Sequence, residues 1–185
     1  MKNKLVVLGG GESGVGTAIL GKQKGYDVFV SDKGMITDFY KEVLENHKIN
    51  FEEKQHTERI IFQADFVMKS PGIPDKINLV QQLLAKDIQI ISEIEFAAKF
   101  TDATIVGVTG SNGKTTTAML VHHLLKQSGL NVGLAGNIGN SFANQVGEHN
   151  YDSYVLELSS FQLDGIERFN PHIAILTNIT PDHLD

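Results

Sequence analysis

Short apolar runs and stretches of helical spacing alternate along the whole chain. Leu5-Val6-Val7-Leu8 is a continuous apolar run that opens onto glycines, and Ala18, Ile19 and Leu20 continue as a helix that Gly25 stops. Val28-Phe29-Val30 predicts a second strand ending at Ser31-Asp32. A helix from about Asp38 to Glu45, a strand at Phe66-Val67-Met68, a helix from Leu79 to Ala85 and a strand from Ile88 to Ile91 follow. Ser92, with Glu95 three residues on, predicts a capping box that starts a helix reaching about Phe100. The same rhythm then repeats, with strands expected near 104–108, 132–135, 153–158 and 172–177 and helices near 114–127, 140–147 and 160–168. Alternation of this kind predicts doubly wound parallel sheets in an α/β protein, divided into one unit over 1–92 and another over 93–185.

Both units open with a strand, a glycine loop and a helix. In the second, Ala103 to Val108 feeds Gly110-Ser111-Asn112-Gly113-Lys114-Thr115-Thr116, after which Ala118, Val121, Leu124 and Leu125 recur at helical spacing. Glycines let backbone N–H groups converge on phosphate at a helix N-terminus. Lys114 can then reach β- and γ-phosphates, and the Thr115 hydroxyl is placed for Mg²⁺. The spacing is a variant of the general phosphate loop: Val108 stands where the first glycine belongs, Gly107 lies one residue earlier, and Gly110 is extra. The competing explanation is a glycine turn that touches no nucleotide.

In the first unit, Gly9, Gly11 and Gly14 fit G-x-G-x-x-G, with Asp32 at the end of the next strand. Alone this implies NAD or FAD, yet the same geometry suits any ribose-phosphate ligand, including a nucleotide-sugar diphosphate. Four further candidates lie at or just after the ends of strands. Ser70-Pro71-Gly72 reads equally as a ligand loop or a turn, and Asn137 as a substrate amide or a left-handed turn residue. Glu157, an acid on an apolar strand, fits a second Mg²⁺-associated carboxylate or an ion-pair partner. His183 lies beside them at the same expected edge, whereas His122 and His123 fall on a helix and are read as structural.

Composition narrows the classes. A formal charge of −6 argues against nonspecific binding to nucleic acid or an anionic membrane. The absence of cysteine excludes disulfides and thiolate-held zinc. The apolar run after Met1-Lys2-Asn3-Lys4 is too short for an export signal, so a cytoplasmic protein is expected. Polar residues just past the last expected strand suggest a piece of a longer protein.

Taken together, GVTGSNGKTT, TNITPDHLD, LELSSFQL, GNIG, SPGI and SEIEF resemble the Mur ligases of bacterial peptidoglycan synthesis, and in particular their D-glutamate-adding branch. The resemblance covers nearly the whole chain. It implies a Rossmann-like domain holding UDP followed by a truncated P-loop ATPase domain, with an amino-acid-binding domain and a carbamylated lysine beyond Asp185. It implies ATP and Mg²⁺ as cofactors and UDP-N-acetylmuramoyl-L-alanine and D-glutamate as substrates. It also implies a monomer without nucleic-acid or membrane partners, and no ligase activity for this stretch alone. Carried onto this chain, Gly110 to Thr116 would hold ATP, and Thr115, Glu157 and His183 the metal. Gly11, Glu12, Ser13, Asp32, Ser70, Pro71, Gly72, Asn137 and Ser159 would hold substrate, with Lys114, Asn137 and His183 catalytic. The rivals are an NAD-sensing domain joined to a nucleotide switch, and a dehydrogenase. A dehydrogenase has no use for Lys114-Thr115-Thr116, and a switch does not need Asn137, Glu157 and His183 at one edge.

Overall fold

A computed structural model describes residues 3–180. The first half folds as β1 (Lys4–Leu8), α1 (Glu12–Gln23), β2 (Asp27–Ser31), α2 (Asp38–Asn46), β3 (Asn50–Glu52), α3 (Glu58–Ile61), β4 (Phe66–Lys69), α4 (Asn78–Ala85), β5 (Gln89–Ile91) and α5 (Glu93–Ala98). The second continues as β6 (Thr104–Thr109), α6 (Lys114–Gln127), β7 (Val132–Gly136), α7 (Phe142–Glu148), β8 (Ser153–Glu157), α8 (Ser160–Asp164) and β9 (Ile173–Leu176). Two parallel sheets result, in the orders β3-β2-β1-β4-β5 and β7-β8-β6-β9. This is the α/β architecture that the alternation predicts.

Parallel strands covered on both faces need unbroken apolar runs, which is why β1 is buried from Leu5 to Leu8 and β8 from Tyr154 to Glu157. Strand β3 and helix α3 were not expected. Asn50-Phe51-Glu52 has no apolar periodicity and exists as a strand only because Phe29 and Ser31 of β2 offer it a ladder. Helix α8 is shorter than expected, ending at Asp164. The capping box expected at Ser92 forms only halfway: Ser92 Oγ accepts from the Glu95 N–H at 3.1 Å. The Glu95 carboxylate turns instead to the 167–169 turn, where Oε2 accepts the N–H groups of Glu167, Arg168 and Phe169 at 2.9–3.2 Å. A reciprocal box does form at Ser159 and Gln162, opening α8.

The two sheets share one hydrophobic core. Leu5, Val7 and Ala18 from the first half join Ile105, Phe142, Tyr154 and Leu156 from the second. Helix α1 sits between them, buried continuously from Gly14 to Gly21, and two of its glycines make that possible. A Cβ on Gly14 would overlap the Gly9 carbonyl oxygen, and one on Gly16 would overlap Ser141 Oγ at the start of α7. These two glycines therefore set how closely the loop, its helix and the second half approach one another. All strands of a parallel sheet end at the same edge, so the loops after β1 and β4 meet where the strand order reverses, and those after β6, β7 and β8 meet on the second sheet.

Candidate functional site

At the edge of the second sheet, Gly110 (φ +137°) and Gly113 (φ +79°) hold backbone conformations that side chains resist. A Cβ on Gly110 would overlap Thr177 Oγ1. The segment after β9 clamps the loop by hydrogen bonds. Thr177 Oγ1 donates to the Asn112 carbonyl at 2.7 Å, and the Asn178 side chain accepts from the Asn112 N–H at 3.0 Å. Ser111 Oγ donates to the Thr180 carbonyl at 2.9 Å. Thr177, Asn178 and Thr180 belong to the TNITPDHLD segment that carries the resemblance, but sequence reasoning took only His183 from it as a site residue and assigned these three no role. Helix α6 starts at this loop with Gly113 as its N-cap, so no N-cap side chain accepts from its first N–H groups.

Lys114 folds back over its own loop, Nζ donating to the carbonyls of Gly110 at 2.7 Å and Ser111 at 3.0 Å. Thr115 Oγ1 donates to Glu157 Oε2 at 2.8 Å, and Asn137 Nδ2 donates to Glu157 Oε1 at 2.9 Å. Glu157 is only 1% exposed and is held by these two neutral donors. His183 lies outside the described residues. Among the described residues no group of three or more His, Asp or Glu side chains is gathered for a metal. One hydroxyl and one carboxylate beside a phosphate loop nevertheless suit Mg²⁺, which takes few protein ligands and completes its shell with phosphate oxygens and water. The uncapped α6 terminus and the open space around Gly113 suit a polyphosphate.

At the first sheet, Asp32 organises the glycine loop: Oδ2 accepts from the Gly10 N–H at 2.6 Å and Oδ1 from the Gly34 N–H at 2.7 Å. Gly11 caps α1 without a side-chain bond and has open space where a Cβ would stand. Glu12 reaches across to the other half, Oε1 accepting the Ser141 N–H at 2.9 Å. Ser13 sits beside Glu93, whose Oε1 accepts the Ala143 N–H at 2.9 Å. Burial pushes the Glu93 carboxyl up to about 6, and its other oxygen has no partner among the described residues. Glu95 lies two residues further along and behaves oppositely. Burial pushes its carboxyl upward too, but the three N–H groups of the 167–169 turn outweigh it and hold it below its usual value.

Between the sheets lies a cleft of about 900 Å³, which brings Pro71 and Gly72 from the first half together with Asn137 and Ser159 from the second. Ser70 is not among the residues lining the cleft; its Oγ lies 2.5 Å from where a Cβ on Gly9 would be, against the first loop. Gly11, Glu12, Ser13 and Asp32 do not line this cleft; they gather around the first loop. Asn137 belongs to both neighbourhoods, lining the cleft while bonding the carboxylate that Thr115 also bonds.

The chain is 64% identical over 185 residues to the UDP-N-acetylmuramoylalanine--D-glutamate ligase of Christiangramia forsetii, covering 100% of this chain and 42% of that protein. It is 56% identical over 182 residues to the ligase of the same name from Bacteroides thetaiotaomicron, covering 98% and 41%. The chain thus spans about two fifths of the length of these curated relatives. Among solved structures, a UDP-N-acetylmuramate-alanine ligase from Thermotoga maritima shares the fold at a TM-score of 0.62 and 23% identity, over 98% of this chain and 42% of that one. The Neisseria meningitidis UDP-N-acetylmuramate:L-alanyl-gamma-D-glutamyl-meso-diaminopimelate ligase does so at 0.66 and 22%, over 100% and 63%. Residues 4–79 match the MurD N-terminal domain and residues 108–185 the Mur ligase middle domain, and the chain belongs to the Mur ligase family.

Proposed function

We propose that this chain carries the UDP-binding and ATP-binding parts of an enzyme that joins D-glutamate to UDP-N-acetylmuramoyl-L-alanine. The observation that carries the proposal is the bonded series Asn137–Glu157–Thr115, which runs from the cleft between the sheets to the phosphate loop. A ligase that activates a carboxylate must hold that carboxylate against a terminal phosphate, and this series spans those two places. The unit over 1–92 takes the UDP moiety at the Gly9–Gly14 loop and Asp32. The unit over 93–185 takes ATP at Gly110 to Thr116.

In the reaction, a carboxylate oxygen of the substrate attacks the γ-phosphorus, the bond to the ADP oxygen breaks, and ADP leaves. The D-glutamate amine then attacks the acyl carbon, and phosphate departs as the amide forms. Lys114 gives up its two carbonyl contacts to follow the transferring phosphoryl group, and the α6 N-terminus stabilises the phosphates. Thr115 and Glu157 would hold Mg²⁺, which supplies charge neutralisation on those phosphates. Asn137 orients the substrate, and Pro71, Gly72 and Ser159 border its path. His183 and the remaining part of the longer protein complete the site. The 185-residue chain by itself is expected to bind without ligating.

Calorimetry of the chain with UDP-N-acetylmuramoyl-L-alanine and, separately, with NADH tests the proposal. Heat from the UDP compound alone is expected. Binding of NADH with no response to the UDP compound would replace the ligase reading by that of an NAD-binding regulator.

A further inference from the structure

The proposed reaction leaves two carboxylates of the first half without a task, and both end on the same segment of the second half. Glu12, the first residue of α1, accepts the Ser141 N–H at 2.9 Å. Glu93, the first residue of α5, accepts the Ala143 N–H at 2.9 Å. Glu93 is only 2% exposed and Ala143 is fully buried, so water cannot stand in for the Glu93 carboxylate. Without that acceptor a buried N–H is left unpaired or the backbone carrying it moves.

The other end of the segment is tied to Glu157. Gly136 (φ +102°) closes β7 so near β8 that a Cβ on it would overlap the Glu157 carbonyl oxygen, and that oxygen accepts the Asn137 N–H at 2.8 Å. The Asn137 side chain donates to the carboxylate of the same residue at 2.9 Å. Gly139 (φ +70°) turns the chain, and Asn140 pairs with Ala135 before Ser141 caps α7. Residues 137–140 are thus held between Glu157 on one side and Glu12 and Glu93 on the other. With so few residues between these anchors, a displacement at Ser141 and Ala143 reaches Asn137. We infer that Glu93 and Glu12 are positioning residues for the ligation: from the first half they set where the Asn137 amide stands between the cleft and Glu157. This rests on the proposed role of Asn137, and it gives Glu12 a different task from the substrate contact that the resemblance implies.

Steady-state kinetics of the full-length protein test it, with D-glutamate-dependent phosphate release as the readout. Glu93→Met keeps the length of the side chain without its oxygens, and is expected to lower kcat by about tenfold through the shift of an orienting group. Glu93→Gln retains an oxygen for the Ala143 N–H and is expected to stay within about threefold of wild type. Glu12→Met is expected to lower kcat as well; a raised KM for the UDP compound at unchanged kcat would return Glu12 to substrate holding and overturn its part. The decisive comparison is made in an Asn137→Ala background. Residues that act through Asn137 have nothing left to position there, so Glu93→Met and Glu12→Met should each cost less than about twofold further. A loss by the same factor in both backgrounds would show a purely structural role and overturn the inference, as would wild-type kcat in Glu93→Met. Glu12 is exposed, so Glu12→Met carries the same comparison should Glu93→Met not fold. A wild-type protein that releases no phosphate in response to D-glutamate, or wild-type kcat in Asn137→Ala, would instead remove the underlying proposal, an outcome distinct from the others.

Discussion

The two glycine loops begin alike and end differently. Each follows the first strand of a parallel sheet and caps a helix with glycine. The first is organised by an acid: Asp32 already satisfies the Gly10 and Gly34 N–H groups, and Glu12 and the α1 glycines tie the loop to the other half. The second carries a cation with only carbonyl partners, Lys114, and a hydroxyl bonded to a buried carboxylate. An acid-organised loop suits a nucleotide that is held, since its carboxylate can still accept from ribose. A loop whose lysine is held only by two neutral carbonyls suits a phosphate that is transferred, because an anion can displace those contacts. The same local fold thus serves retention in one place and chemistry in the other, and the distinction lies in one charged side chain at each.

The largest effect expected from breaking this contrast is at Lys114. Lys114→Ala in the full-length protein should lower D-glutamate-dependent phosphate release by about 10²–10³-fold, the loss typical of a group that stabilises developing charge. UDP binding by the first loop should be unchanged. Release at the wild-type rate would show that the second loop is not the transferring one.

Next in size is Gly14→Ala, where the new Cβ overlaps the Gly9 carbonyl. It should destabilise the fold by about 3 kcal/mol, since backbone cannot yield as a side chain can. Gly113→Ala meets open space and only the strain of a left-handed conformation, about 1 kcal/mol. Thermal melting of the two variants compares them at about 2–4 °C per kcal/mol for a chain of this size. Equal shifts would mean that the first loop is no more tightly packed than the second.

A smaller effect concerns the interface that ties the first loop to the second half. Folding raises the Glu93 pKa from 4.5 to about 6. Below pH 4.5 both folded and unfolded chains are protonated there. As pH rises the unfolded chain releases its proton first, so this group's contribution to stability falls between about pH 4.5 and 6 and then levels off. The integrated loss is about 2 kcal/mol. Glu93→Gln should remove it, so the variant's melting temperature relative to wild type should rise by about 4–8 °C between pH 4 and pH 7. Glu95, with its lowered pKa, has the opposite sign: its contribution is present above its usual value and is lost as pH falls. A Glu93→Gln variant whose offset from wild type does not change with pH would show that Glu93 is not strained by burial.

How much was legible followed the range of the physics. Strands β1, β6 and β8 could be read because a strand buried on both faces must be apolar throughout, and Lys114 and Thr115 because their loop is one short continuous segment. Strand β3 and helix α3 could not, because their few residues carry no periodicity and depend on a neighbouring ladder. Glu95 misled because its three-residue spacing from Ser92 fits a capping box, while a turn more than seventy residues away supplies three stronger partners for the same carboxylate.

By itself the sequence determined the alternating α/β order, the two glycine loops and the residue types that phosphate and Mg²⁺ require, all of which rest on neighbours along the chain. Only the tertiary structure decided that β8 lies between β6 and β7, so that Glu157 meets Thr115 and Asn137 at once. It likewise decided that Glu12, Glu93 and Glu95 spend their charge on backbone N–H groups of the opposite half. A buried carboxylate takes whatever donors desolvation leaves within reach, and which donors those are depends on the packing of the two sheets.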